Sequence, residues 1–493
     1  MSDNETKLKD YKRDGKTLIP PLAQIPMKTS SWVNDRLPEM LWAGLILGEM
    51  DREKALDFFR YIADFVSKNN DCSDITISGI GAVNKSLRRD FIKHILSYNS
   101  DIKVILRPLM LFEQLPAYSD WHEILGSTVP KEDWNKIANA VNEIFFHQSQ
   151  KVTDCRWLRV FSLCVAGKLY CPSENIKEIV NYPNYGDLRA VRPFMRAMEI
   201  TLEYSKINSN WSEDFWKVSF DQTECFPEIT IDTNLKEECQ KMIDKFHTER
   251  DFYLKDSAQV WHDLIDYFLN QEKTSDIDPR FEGVFGLALY GISLFCEVIL
   301  YQTPSSITSR INLRTLIEIY ITLAYLLKKE KVDNNVWDTY RQYGTGQLNL
   351  IYQKQKTATK KINCIEIERL RELANENKWI EFVPINVGHW DSLDLRKMSE
   401  EVGLKDIYDE YYNYTSGFIH GSWGAIRESI YQKCMNPLHR YHSIPVFEFP
   451  LMPSTIDDSI DIINKILDQL SIAYPKFDSR IKQYKEESTT PNR

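Results

Sequence analysis

No two cysteines in this 493-residue chain stand in a CxxC spacing. The nine cysteines, at 72, 155, 164, 171, 225, 239, 296, 364 and 434, are odd in number and scattered. Neither a disulfide framework nor a zinc site is signalled by such a set. Reduced thiols in a cytoplasmic protein are the expectation. An apolar leader is missing as well: MSDNETKLKDYKRDGK is polar and charged and reads as a frayed tail over residues 1–30. Positive charge is in deficit. The formal net charge of −10 disfavours whole-surface attraction to nucleic acid or to an anionic membrane, and leaves room only for a local basic groove. Repeats of fixed period and low-complexity tracts are lacking, apart from the terminal KEESTTPNR.

Familiar catalytic signatures are also missing. There is no HExxH, no GxSxG and no kinase set, and GIGAVNK at 79–85 has the wrong spacing for a phosphate-binding loop. PLHRYH at 437–442 carries two histidines three apart beside Pro437; metal ligation is the lesser alternative there and a surface loop the expectation. No metal site and no cofactor are expected.

What is present is apolar and aromatic: 43% hydrophobic and 12% aromatic residues, enough for substantial cores. Helical periodicity dominates from about residue 36, with patterns at 130–149, 152–167, 185–206 and 235–271. Asp35 and Asp51 are candidate helix caps. Trp32, Trp42, Trp157, Trp211 and Trp216 read as core anchors. IKVILRP at 102–108 is β-like, and DITISGIGAV at 74–83 reads as a partner strand or a turn, but so few strands cannot build a sheet domain. The predicted fold is all-α or nearly so. NYPNYGD at 181–187 and QEKTSDIDPR at 271–280 are candidate boundaries; the second divides an N-terminal helical domain, 31–275, from a C-terminal helical bundle, 280–475, followed by a tail, 476–493. FEGVFGLALYGISLFCEVIL at 281–300 has the length of a membrane span. Glu282, Glu297 and its isolation favour a buried helix, and no membrane partner is expected.

The C-terminal half carries the chemistry. SSITSRINLRTLIEIYITLAYLLKKEK at 305–331 predicts one helix, apolar on most of its circumference, with Arg310, Arg314 and Glu318 spaced four apart on one face. Buried charges without compensation cost several kcal/mol (about 3–5), so Arg314 and Glu318 must neutralise each other or meet partners. Tyr408, Tyr412, Ser416 and His420 repeat the spacing in YDEYYNYTSGFIHGSW and offer the second face. Gly417, Gly421 and Gly424 there imply a close helix contact, a bend near His420 or a C-terminal cap.

RINLRTLIEIYITLAYLL, DTYRQYG at 338–344 and HWDSLDLRKMSEEVGLKDIYDEYYNYTSGFIH at 389–420 together resemble an uncharacterised bacterial helical domain family, over about 285–430. The resemblance implies an Arg-x-x-x-Glu helix, a Tyr/Arg-bearing helix and a closing Ser-x-x-x-His element. It places Arg314, Glu318, Ser416 and His420 on the characteristic positions, with Tyr340 and Trp390 beside them. More distantly the region is similar to the HEPN group of bacterial antiviral and toxin proteins, many of which cut RNA without metal. RDFIKH, Arg89 to His94, has the order of the HEPN motif but lies outside the matched region and reads as an ordinary amphipathic helix.

Two functional expectations follow. In the first, the bundle of a bacterial defence or toxin-like protein cleaves or binds RNA without metal: His420 is acid or base, Arg314 clamps phosphate, Glu318 orients Arg314, and Arg310, Tyr340, Tyr412 and Ser416 line the ligand site. In the second, the protein is a non-catalytic sensor or scaffold that recognises a nucleotide or a partner protein from the same operon. A homodimer is the expectation from the HEPN analogy alone.

Overall fold

The computed structural model describes residues 8–19, 31–183, 188–202, 210–228, 233–271, 278–359, 362–374, 390–445 and 452–484. The fold is all-α, as the periodicity predicts: helices make up 73% of it, and the strands among the described residues are two pairs of three-residue segments. The chain divides into two units. Unit 1 is Met1–Glu228 with Lys433–His442, and unit 2 is Ile229–Gln432 with Ser443–Arg493. The division thus falls near 228, where the linker reading placed it near 275. The candidate linker 271–280 and the candidate boundary 181–187 lie largely outside the described residues.

Unit 1 is organised around α1, Leu41–Glu49, in which every residue from Leu41 to Leu47 is buried. A helix apolar on all sides has no solvent face and must be central. It packs against α3, Pro130–Phe145, while α2, Arg52–Lys68, and α5, Leu188–Thr201, lie on α4, Gln150–Val165. Gly44 makes room for a side chain of α3: a Cβ there would stand 2.5 Å from Ile144 Cδ1. Helix α6, Trp211–Gln222, closes the unit. All five tryptophans named above are buried in this unit, as expected.

Several local expectations change. Asp51 does occupy an N-cap position, of α2, but Asp35 lies inside a short turn capped by the Ser31 hydroxyl. IKVILRP is helical from Asp101 to Leu106, with Ile102, Ile105 and Leu106 buried; burial at i, i+3 and i+4 overrides the β preference of its branched residues. In DITISGIGAV a helix runs from Ile77 to Ala82, capped by Thr76. Within the expected N-terminal tail, Lys12–Asp14 and Thr17–Ile19 pair antiparallel. Beyond 475, Phe477 and Ile481 are buried in the core of unit 2.

Unit 2 contains α7, Thr233–Leu269, α8, Pro279–Leu300, α9, Ile307–Lys329, α10, Val336–Thr357, α11, Asn413–Ile419, and α12, Ile456–Ala473. Helix α9 is the axis. It touches α8, α11, α12 and the short helix Leu395–Val402, and most of its residues from Ser309 to Leu327 are buried. Among the described residues α8 alone is long and apolar enough, by length and composition, to cross a bilayer; here Val284, Phe285, Ala288, Ile292 and Phe295 are buried in the unit 2 core.

Candidate functional site

The polar seam forms where α9 meets the turn Tyr408–Tyr412 that leads into α11. Arg314 Nη1 donates to Glu318 Oε2 at 2.9 Å, Arg314 Nη2 donates to the Tyr412 hydroxyl at 2.6 Å, and that hydroxyl donates to Glu318 Oε1 at 3.2 Å. The three side chains close a ring of hydrogen bonds. The Arg314 guanidinium also lies 4.6 Å from the Tyr412 ring centroid, and Tyr408 stacks on Tyr412 at 4.7 Å. Burial, and then the Glu318 carboxylate, push the Tyr412 phenol above its ordinary pKa. It is therefore a neutral O–H donor at physiological pH. Both readings of the charges hold at once: Arg314 and Glu318 neutralise each other and share a partner from a second element.

One turn earlier, Arg310 is buried, donates to the carbonyls of Pro453 at 2.9 Å and Ser306 at 3.3 Å, and lies 5.5 Å from the Phe418 ring. Arg310 facing Phe418, and Arg314 facing Tyr412, show that α9 and the 408–419 segment run antiparallel. Tyr340 belongs elsewhere in the unit: its ring packs edge-on to Trp390 at 5.2 Å, and Trp390 packs on Tyr325 at 5.9 Å.

His420 marks the end of the second face. It is the C-cap of α11, its N–H bonded to the Ser416 carbonyl at 3.2 Å. Gly421 follows at φ +56°, the left-handed position that terminates a helix and that glycine occupies without strain. The glycines thus act as a cap. The His420 ring is exposed and has no hydrogen-bond partner among the described residues, whereas Arg314 is 16% exposed and held by two partners. Of the expected site residues, then, Arg314, Glu318 and Tyr412 come together; Arg310 lies one turn away on α9; Ser416 meets the His420 N–H through its carbonyl; Tyr340 and His420 stand outside the hydrogen-bonded ring.

A second feature of unit 2 was not foreseen. A cavity of about 520 Å³ opens at the N-terminus of α9. Met242, Ile243 and Phe246 of α7 form one wall, and Ile307, Ile430 and Met452 form much of the rest. Ser305, Ser306 and Thr308 at the start of the helix line its edge, where the Ser306 hydroxyl caps the Ser309 N–H and donates to the Thr303 carbonyl. The volume lies within the range of small-molecule sites. Its only sequence signal is the hydroxyl-rich TPSSITS at the head of an apolar helix, because the opposite wall lies some sixty residues earlier.

The sequence reading also missed a convergence in unit 1. Cys225, Cys434, His439 and His442 bring their ligand atoms within 4.8 Å of one another. Their only local trace was PLHRYH.

Comparison with known proteins covers the seam. A model of a family of unknown function, DUF5677, matches residues 281–433. The match spans α8 to α11 and agrees with the 285–430 region singled out by the Arg-x-x-x-Glu and Ser-x-x-x-His pattern. It carries no link to the HEPN group or to defence. No curated protein and no solved structure matches the chain.

Proposed function

We propose that this chain is a non-catalytic recognition protein, the sensor alternative of the sequence reading. Its ligand is a small molecule with an apolar body and an anionic end, bound in the cavity of unit 2. The observation that carries the proposal is the cavity itself: methionine and isoleucine walls adapt to an apolar shape, while the start of a 23-residue helix favours negative charge. The seam supports the same reading. Two Arg314 donors are engaged by Glu318 and Tyr412 while its Nε is buried inside the seam without a partner, so the charge is already neutralised; a general acid or base needs an orienting partner, and the exposed His420 ring has none among the described residues. The ribonuclease reading finds less support in this geometry.

The test uses a fluorescent anilinonaphthalene sulfonate, which has both an apolar body and an anionic end. Saturable one-to-one binding is expected. Ile307, 37% exposed at the cavity edge, is replaced in Ile307→Glu: a carboxylate at the first position suits the helix dipole but repels the probe, and affinity is expected to fall about tenfold or more. Equal binding by wild type and variant refutes the assignment. In a parallel arm, labelled RNA with chelator stays intact; cleavage that His420→Ala abolishes overturns the proposal in favour of the ribonuclease.

A further inference from the structure

Two segments far apart in sequence meet in unit 1. The first is the exit of α6, Thr223 to Pro227; the second is the turn Lys433–His442, which the contacts assign to unit 1. The Cys434 N–H bonds to the His442 carbonyl at 2.9 Å, the Met435 N–H to the Phe226 carbonyl at 2.7 Å, and Pro227 and Cys434 form an antiparallel bridge. Leu438 is buried in the unit 1 core. Backbone contacts, rather than rotamers alone, therefore set where the two cysteines and two histidines stand.

Their separations fit one ion. Cys225 Sγ lies 3.3 Å from His439 Nδ1 and 3.2 Å from His442 Nε2, and Cys434 Sγ lies 3.7 Å from His439 Nδ1. Around zinc, bonds of about 2.3 Å to sulfur and about 2.05 Å to nitrogen at the tetrahedral angle place sulfur and nitrogen about 3.5 Å apart. Hydrogen bonds settle which nitrogen of His439 is available. The Thr223 hydroxyl donates to the Ser219 carbonyl at 2.7 Å and accepts from Asn436 Nδ2 at 3.1 Å, so toward His439 Nε2, at 3.0 Å, it acts as acceptor. Nε2 carries the proton, and the bare lone pair of Nδ1 faces both sulfurs. A ligating histidine held by a hydrogen bond through its other nitrogen is the usual outer arrangement of a metal site.

The backbone between the histidines adds an independent sign. Arg440 and Tyr441 both take positive φ, 52° and 51°, a region that side-chain-bearing residues avoid unless the surroundings impose it. Arg440 is held by Asn34 at 2.9 Å and by the Trp216 ring, and Tyr441 by Asn142 at 2.7 Å. The left-handed turn directs both imidazoles to the same point.

We propose that Cys225, Cys434, His439 and His442 bind one zinc ion in a closed tetrahedral site that staples the 433–442 turn to the end of α6. Binding forms two Zn–S and two Zn–N bonds and releases the two thiol protons to solvent, and the two thiolates balance the charge of the ion. Four protein ligands leave no open position, so the role is structural. Cys434 and His439 are buried while Cys225 is exposed, which gives the ion an entry path.

Elemental analysis of the full chain, purified without chelator, is expected to find one zinc per chain, and cobalt exchange to give the visible bands of a tetrahedral thiolate site. Cys225→Ser and His442→Ala, at the rim, lose the metal while keeping helical circular dichroism; Cys364→Ser, exposed in unit 2, keeps it. Thr223→Val lowers zinc affinity about 10- to 100-fold. The proposal is overturned if folded wild type stays substoichiometric after incubation with zinc, if the rim variants hold as much zinc as wild type, or if mass spectrometry finds a Cys225–Cys434 disulfide.

Discussion

The Glu199 carboxylate is the most consequential charge in unit 1. It is 1% exposed and contacts three arginines: Arg36, Arg159 at 2.9 Å and Arg156 at 3.5 Å, each buried. Three cations face one anion in a place that water does not reach. Removal of one partner of a buried ion pair costs about 3–5 kcal/mol, because the charge left behind keeps its desolvation penalty. Glu199→Gln keeps the shape and one accepting oxygen while deleting the charge, and is expected to destabilise unit 1 by about 3–5 kcal/mol, a large part of the roughly 5–15 kcal/mol of a typical domain. With a urea dependence near 2 kcal/mol per molar, the unfolding midpoint drops by roughly 2 M. Tryptophan fluorescence is the natural readout, since the Arg156 and Arg36 guanidiniums lie 4.7 and 5.6 Å from the Trp32 ring. Glu53→Gln, exposed on α2, is the control and should stay within about 0.5 kcal/mol. The three arginines are not equivalent. Burial, opposed by Glu199 and reinforced by Arg36, pulls Arg156 down to about 10, which marks it as the least compensated; Arg156→Met should therefore cost far less than Glu199→Gln. A loss below about 1 kcal/mol for Glu199→Gln, or a greater loss for Arg156→Met, would refute the electrostatic reasoning.

Two further outcomes are expected. Tyr412→Phe removes the hydroxyl that bridges Arg314 and Glu318 and should lower the stability of unit 2 by about 1 kcal/mol, read by chemical denaturation, since a typical net hydrogen bond contributes about 0.5–1.5 kcal/mol; no change would make the ring incidental. Glu39 is buried and accepts from the Ser78 N–H at 2.8 Å and hydroxyl at 2.6 Å, yet burial raises its carboxyl above the ordinary 4.5. A raised carboxyl contributes stability at low pH that is lost as pH climbs from the unfolded value through the folded one. Glu39→Gln should therefore gain on wild type as the pH rises above 4.5, and parallel stability–pH curves for the two proteins would sink this reading.

Much of unit 2 was legible because its information is local. Arg310, Arg314 and Glu318 repeat every four residues on an otherwise apolar helix, so their shared face and the need for a partner follow from helix geometry and the cost of buried charge. The same spacing in the second segment offered a partner face, and the structure chose Tyr412 from it. His420 broke the pattern for an equally local reason: Gly421 ends the helix, and the imidazole falls at the cap instead of one turn further along the seam. IKVILRP misled because branched residues fit a strand or a buried helix equally well until the neighbours are known.

The amino-acid sequence alone determined the predominance of helix and the shared face of Arg310, Arg314 and Glu318 on α9, since each depends on residues within a few turns. Only the tertiary structure decided that Glu199 meets Arg36, Arg156 and Arg159, that α7 walls the cavity at the head of α9, and that Cys225 joins Cys434, His439 and His442. Such meetings depend on how whole faces pack, and a linear pattern of side chains carries no distance between segments far apart in the chain.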